Sequence, residues 1–247
     1  LVLVEKYGTD VLRFTLSAMA AQGRDIKLAE TRIQGYRNFA TKLWNAARYA
    51  EMNGCSHDPA FDPSNCRLTV NRWIVGEMAR AAGQVSGAVE SYRFNEAANA
   101  IYQFAWGTFC DWYIEFTKPI LAGDDAAATA ETQAATAWTL RQLMNILNPL
   151  MPYLTEELWQ RLDGKGSLIS AAWPDFSGVK VDEGAVAEMD WVVRLITEVR
   201  SIRSEMNVSP RAEIDLLLVG MNEHSRGRLS DHRDIIQHFG RLKSATG

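Results

Sequence analysis

Cysteine is scarce in this 247-residue chain, and the three present, Cys55, Cys66 and Cys110, are irregularly spaced. An odd number without a Cys-x-x-Cys pair excludes a disulfide framework and fits reduced thiols in a cytoplasmic protein. Cys55-Ser56-His57 with Cys66 lacks a clear fourth ligand, so no metal site is expected. Cys110, inside an apolar stretch, reads as a small core residue. No apolar run approaches the roughly 20 residues that a membrane helix needs. Leu1-Val2-Leu3-Val4 is followed at once by Glu5 and Lys6, with no basic leader or cleavage site, so no signal peptide is expected. Also absent are a Gly-x-Gly-x-x-Gly turn and a P-loop, the common phosphate cradles of nucleotide enzymes. A formal charge of −4 excludes a strongly basic nucleic-acid binder but leaves room for a local basic surface.

What is present is an ordinary globular composition, 47% hydrophobic and 23% charged, long enough to bury a substantial core. The chain starts without methionine and ends at Gly247 without a clear stop, which suggests a piece of a longer protein.

One stretch organises the rest. Between Arg32 and Ala50, the residues Ile33, Tyr36, Phe39, Ala40, Leu43, Ala47 and Ala50 form an apolar stripe at helical spacing. Asn38, Lys42, Asn45 and Tyr49 fall at i, i+4, i+7 and i+11, within about 60° of one another on the other side. Amides pair with base edges, lysine neutralises phosphate, and a ring stacks on an unstacked base. The row is either a reading head for single-stranded RNA or a solvated helix face. Arg32, Arg37, Lys42 and Arg48 outnumber Glu30 and Glu51 in this region, a modest local positive excess.

Taken in order, the sequence predicts mostly helices. Gly8 ends a first segment and Thr9 is the expected N-cap of a helix over 11–21. Gly23-Arg24-Asp25-Ile26-Lys27-Leu28 reads as an extended connection, followed by a helix over 29–53 and a surface loop to Arg67. Helices are expected over 68–92 and 94–118, with Trp73 and Ile74 in the core and Arg72 in an ion pair. Asp111 and Glu115, one turn apart, read as a buried cap or salt bridge rather than a catalytic pair, because no nucleophile or metal ligand lies near. Pro119 and Gly123 mark a turn. Further helices are predicted over 126–148, from Pro152 at a first turn, and over 185–207, where Arg200 and Arg203 share a face that suits surface salt bridges to Glu198 or Glu205, with RNA contact the alternative. A strand over 214–219 and a helix over 223–239 make a small α/β appendage.

The run Gly35-Tyr36-Arg37-Asn38-Phe39-Ala40-Thr41-Lys42-Leu43-Trp44-Asn45-Ala46 resembles the start of the anticodon-binding bundle of the valyl-tRNA synthetases, class I aminoacyl-tRNA synthetases. Asp10-Val11-Leu12-Arg13, Phe109-Cys110-Asp111-Trp112-Tyr113-Ile114-Glu115, Met151-Pro152-Tyr153-Leu154-Thr155-Glu156-Glu157-Leu158-Trp159 and Val199-Arg200-Ser201-Ile202-Arg203 follow in family order. The resemblance implies a mainly α fold: an antiparallel helix bundle with the small α/β appendage at the C-terminal end. It divides the chain into a stem-contact connection from a catalytic domain (1–28), the anticodon-binding bundle (29–208) and the appendage (209–247). It implies binding of the valine tRNA anticodon stem-loop through Arg32, Asn38, Lys42, Asn45, Arg48 and Tyr49, with Arg32 otherwise a first-turn surface charge. A monomeric parent would join valine to its tRNA with ATP and magnesium. The family's His-Ile-Gly-His and Lys-Met-Ser-Lys-Ser motifs do not occur here, so no catalytic, cofactor or metal residue is assigned. An RNA-independent helical interaction module, or an isoleucyl-type anticodon domain, remains an alternative.

Overall fold

Gly8 makes the first bend. Its φ of 92° is a conformation that side-chain-bearing residues rarely adopt, and it separates α1 (Val2–Tyr7) from α2 (Thr9–Met19). Thr9 is therefore the first helical residue rather than the N-cap; the cap position belongs to Gly8, which has no side chain to offer. The structure, a computed structural model, describes residues 2–21, 23, 25–163 and 166–247. Leu1, Gln22, Arg24, Gly164 and Lys165, parts of the expected first segment, connection and loop, lie outside the described residues.

The chain divides into two compact units, Leu1–Asp182 and Glu183–Gly247. The first is an all-helical bundle. Its α3 (Glu30–Met52) buries Ile33, Phe39, Leu43, Ala46, Ala47 and Ala50, close to the predicted stripe. Tyr7 and Val11 pack on Ile33, while Lys6 Nζ and the Tyr7 hydroxyl both donate to Glu30, at 2.6 and 2.8 Å. α4 (Thr69–Glu90) and α5 (Phe94–Tyr102) are joined by the turn Ser91–Arg93 and pack on each other, so the chain reverses there. α7 (Ala126–Leu147) begins at Asp125, whose carboxylate accepts from the N–H groups of Ala127 and Ala128. α8 (Pro152–Asp163) starts on its proline as expected.

The Asp10-Val11-Leu12-Arg13 motif is a staple between α2 and α8. Asp10 accepts from the N–H groups of Tyr153 and Leu154 at 3.3 and 2.6 Å, capping α8, and Arg13 donates to the Pro149 carbonyl at 2.9 Å. Burial holds the Asp10 carboxyl above its ordinary pKa, partly offset by those two N–H donors. Arg72 pairs with Asp182 at 2.7 Å, and Trp73 and Ile74 are buried, as the sequence indicates.

The helix expected over 94–118 is not uniformly α. Between α5 and α6 (Ile114–Leu121) the stretch Gln103–Tyr113 winds as a π-helix. Pro119 lies inside α6 and the turn comes after it. At the centre, Tyr113, with no exposed surface, donates its hydroxyl to Asn71 Oδ1 at 3.0 Å and lies 3.2 Å from Thr136 Oγ1. The Asn71 amide donates to Thr132 Oγ1 and to Glu131, whose two carboxylate oxygens also accept from the N–H groups of Arg67 and Leu68. Glu131 of α7 thus anchors Arg67 and Leu68, the two residues that lead into α4.

In the second unit, α9 (Glu183–Glu205) is followed by β1 (Ile214–Leu217), α10 (Glu223–Asp231), α11 (Arg233–Gly240) and β2 (Leu242–Thr246). The strands pair in parallel, Ile214 opposite Leu242 and Leu217 opposite Thr246. The single helix expected over 223–239 breaks at His232, and β2 is an addition to the expected appendage. Arg203, expected in a surface salt bridge, is instead buried and donates to the carbonyls of Ser209, Ala212 and Arg241. His232 lies 2.5 Å from Glu188. These contacts hold α9 within the strand-containing unit, so by packing the chain divides at 182/183, ahead of the 208/209 boundary suggested by the motifs. Among the described residues, no helix is long and apolar enough to cross a membrane.

Asn71→Ala would take from the fully buried Tyr113 hydroxyl one of its two partners, leaving Thr136, and would remove one partner of Glu131. It is expected to cost about 2–4 kcal/mol, read as a lower urea midpoint with unchanged slope. All three cysteines are buried, and burial raises their thiols to about 11 for Cys55 and about 12 for Cys66 and Cys110. The reactive thiolate is then scarce below pH 10. Labelling of the native chain at pH 8 is expected to track unfolding, and fast labelling before denaturation would contradict this.

Candidate nucleic-acid interface

The six residues predicted to touch RNA all lie on α3, but the structure sorts them into two groups. Arg32, Asn38, Asn45 and Arg48 are exposed, whereas Lys42 and Tyr49 are half-buried. For Asn38, Asn45 and Arg48 against Lys42 and Tyr49 the difference follows from helix angle, whereas Arg32 points to the apolar side and is exposed through its place in the first turn of α3. Lys42 and Tyr49 border the apolar stripe on the side facing the π-helical stretch and α6, and their long side chains reach across to it.

Lys42 is engaged twice. Its ammonium donates to the Asp111 carboxylate and lies 4.0 Å from the centre of the Trp106 ring. The ion pair with Asp111 agrees with the expected structural role of that residue, although Asp111 is exposed rather than buried. Glu115 likewise pairs with Lys118, at 2.6 Å. The Tyr49 hydroxyl lies 3.4 Å from Oγ1 of the fully buried Thr117, so the ring is anchored by its polar end. Burial raises the Tyr49 phenol pKa. Lys118 sits 6.0 Å above the same ring. The cation and the ring of the polar row therefore already have partners within the fold.

The exposed members are freer. Asn38 accepts one bond from Gln34, at 3.2 Å. Among the described residues, no side-chain hydrogen bond or ion pair holds Arg32, Asn45 or Arg48. Asn45 keeps both its donor and its acceptor for a ligand, and the two guanidiniums keep their full donor forks. Arg32 stands some 20 Å along the helix from Asn45 at 1.5 Å per residue and about 140° around it, so Asn45 and Arg48 share one side of α3, the α3 track, and Arg32 belongs to a separate place at its beginning.

Arg32 borders a cleft of about 600 Å³ at the beginning of α3. Across it stand Asn95, Asn99 and Gln103, at i, i+4 and i+8 on α5 and the first residue of the π-helical stretch. That spacing is a readable signal of a shared polar face. A ladder of rings runs from this cleft to Lys42: Tyr36 meets Tyr102 edge-on at 5.8 Å, Tyr102 stacks on Trp106 at 5.7 Å, and Trp106 carries the lysine. Among the described residues, no group of three or more His, Cys, Asp or Glu could hold a metal ion.

Tyr49→Ala should be costly, about 2 kcal/mol, because it empties a half-buried site beside Thr117. Asn45→Ala should change stability by less than about 0.5 kcal/mol. Thermal melts of the two variants check this, and equal destabilisation would contradict the division into anchored and free residues.

Residues 71–218 match the family described as the anticodon-binding domain of tRNA ligases. Over 98% of its length the chain is 49% identical to a valine–tRNA ligase of Caulobacter vibrioides, of which it covers 27%. It is 48% identical to that of Rhizobium meliloti over 99% of the chain and 26% of the relative. The chain thus spans about a quarter of the length of these curated relatives. A crystal structure of a LeuRS–tRNA–LeuAMS ternary complex from Agrobacterium radiobacter K84 superposes with a TM-score of 0.56 at 22% identity, covering 75% of this chain and 21% of that one. This likeness concerns the fold alone. From the helical bundle and the family match over residues 71–218, the chain belongs to the anticodon-binding domain family of tRNA ligases.

Proposed function

We propose that this chain is the tRNA-recognition part of a valine–tRNA ligase and grips the anticodon stem-loop of valine tRNA. The observation that carries the reading is α3, on which Arg32, Asn45 and Arg48 are exposed and, among the described residues, hold no side-chain partner. Arg48 and Arg32 supply phosphate or base contacts, and Asn38 and Asn45 meet base edges. Lys42 and Tyr49 act at the border of the track, the lysine by exchanging Asp111 for an RNA acceptor and the ring through its outer face. Residues 1–28 form the stem contact that joins the bundle to the parent's own catalytic domain, 29–208 the anticodon-binding bundle and 209–247 the α/β appendage. The parent, a cytoplasmic monomer, joins valine to its tRNA with ATP and magnesium. The residues of this chain contribute recognition.

The test is fluorescence anisotropy of the chain with a valine-anticodon stem-loop, a scrambled loop and an isoleucine-anticodon loop at two salt concentrations. The valine loop is expected to bind tightest. Asn45→Ala should remove about 1–3 kcal/mol of the preference between loops, and Arg48→Ala should lower the salt slope by about 1. Equal binding of all loops would leave only a nonspecific electrostatic surface. Tighter binding of the isoleucine loop would move the assignment to the isoleucyl type. No binding at low salt would favour an RNA-independent interaction module.

A further inference from the structure

The cleft at the beginning of α3 holds chemistry that the α3 track does not use. Its walls bring together the carboxamides of Asn95, Asn99 and Gln103, the Arg32 guanidinium, and the rings of Tyr36 and Tyr102. Among the described residues, none of the three amides hydrogen-bonds to another side chain, so each retains a donor and an acceptor; Asn99 and Gln103 stand on the ridge between this cleft and a groove along α4. Glu96 is the one acidic group on the lining, and it pairs with Arg93 at 3.2 Å.

The floor is Gly35, and its identity calls for a reason. It sits well inside α3, where glycine is the poorest helix former after proline. Its φ is not in the left-handed region, and a Cβ built on it would meet nothing within 4 Å. Neither backbone conformation nor packing in the free protein requires glycine there. What a side chain at residue 35 would do is occupy the cleft.

We propose that this cleft is a second RNA subsite, distinct from the Asn45–Arg48 part of the track, and that it receives one unstacked nucleotide of single-stranded RNA. The base lies over Gly35 and against the Tyr36–Tyr102 ring pair, whose edge-on contact at 5.8 Å closes one end of the cleft. Its Watson–Crick edge meets Asn99 and Gln103, and its phosphate meets Arg32. Carboxamides that both donate and accept suit a base edge better than a simple anion or an apolar ligand. The ring ladder from Tyr36 through Tyr102 to Trp106 and Lys42 fixes the cleft relative to the middle of α3, so one RNA loop meets both sites in a defined register. This inference rests on the proposal that the domain binds an anticodon stem-loop.

The test uses the 247-residue chain and the labelled valine-anticodon stem-loop, with three variants. Asn99→Ala/Gln103→Ala removes the amides while placing a good helix former at both positions. Gly35→Leu removes no polar group and fills the floor. Asn45→Ala, outside the cleft, reports on the α3 track. Both cleft variants are expected to bind about tenfold more weakly, with Gly35→Leu melting no lower than the parent chain. Wild-type affinity in both cleft variants, alongside a loss in Asn45→Ala, would overturn the subsite and leave the anticodon reading standing. Failure of the unaltered chain to bind the stem-loop would remove both.

Discussion

The arrangement of the first unit depends on satisfying one hydroxyl. Tyr113 is fully buried, and a buried hydroxyl without a partner costs more than its ring gains by small adjustments of packing. Asn71 accepts its proton, and Asn71 is itself oriented by Thr132 and Glu131. Glu131 in turn holds the N–H groups of Arg67 and Leu68, which lead into α4. Three elements, α4, the π-helical stretch and α7, therefore share one hydrogen-bonded registry. Apolar packing alone tolerates sliding among Leu, Ala and Ile neighbours; this set of bonds does not. It also fixes the outer surface, because Asp111 lies two residues from Tyr113 and holds Lys42 against Trp106.

That coupling gives the α3 surface a definite electrostatic character. The chain is acidic overall, and the two lysines nearest the track are paired, Lys42 with Asp111 and Lys118 with Glu115. Long-range attraction to a polyanion is correspondingly modest. On the proposed reading, binding comes from short-range groups that are available and already positioned: the guanidiniums of Arg32 and Arg48, and the amides of Asn45, Asn95, Asn99 and Gln103. A surface of this kind favours selectivity over affinity, since amides discriminate base edges whereas isolated cations do not.

Much of this was legible in the sequence. The apolar stripe of α3 matched its buried face because a long amphipathic helix is the strongest local pattern a chain can carry. Pro152 marked a helix start through its own backbone chemistry, and the turn ahead of residue 126 marked another. The misses share a cause: each depends on partners distant in sequence. Nothing local distinguishes the π winding over 103–113 from an ordinary helix, or shows that Lys42 meets a carboxylate from that stretch. Arg203 looked like a surface residue because its three carbonyl partners lie on a loop and at the start of β2. The Asn95, Asn99, Gln103 spacing was visible, but its importance appears only when Arg32 and Gly35 are placed opposite. His232 ends α10 with no glycine or proline to announce the break.

The central claim is that RNA lies along α3. The most direct measurement is photo-cross-linking of the chain to a valine-anticodon stem-loop carrying 4-thiouridine at successive loop positions, with the attached peptides identified by mass spectrometry. The account predicts cross-links on α3 and α5, shifting from the Asn45–Tyr49 region towards Arg32 and Asn99 as the label moves along the loop. Cross-links confined to α7, α8 or the second unit would contradict it.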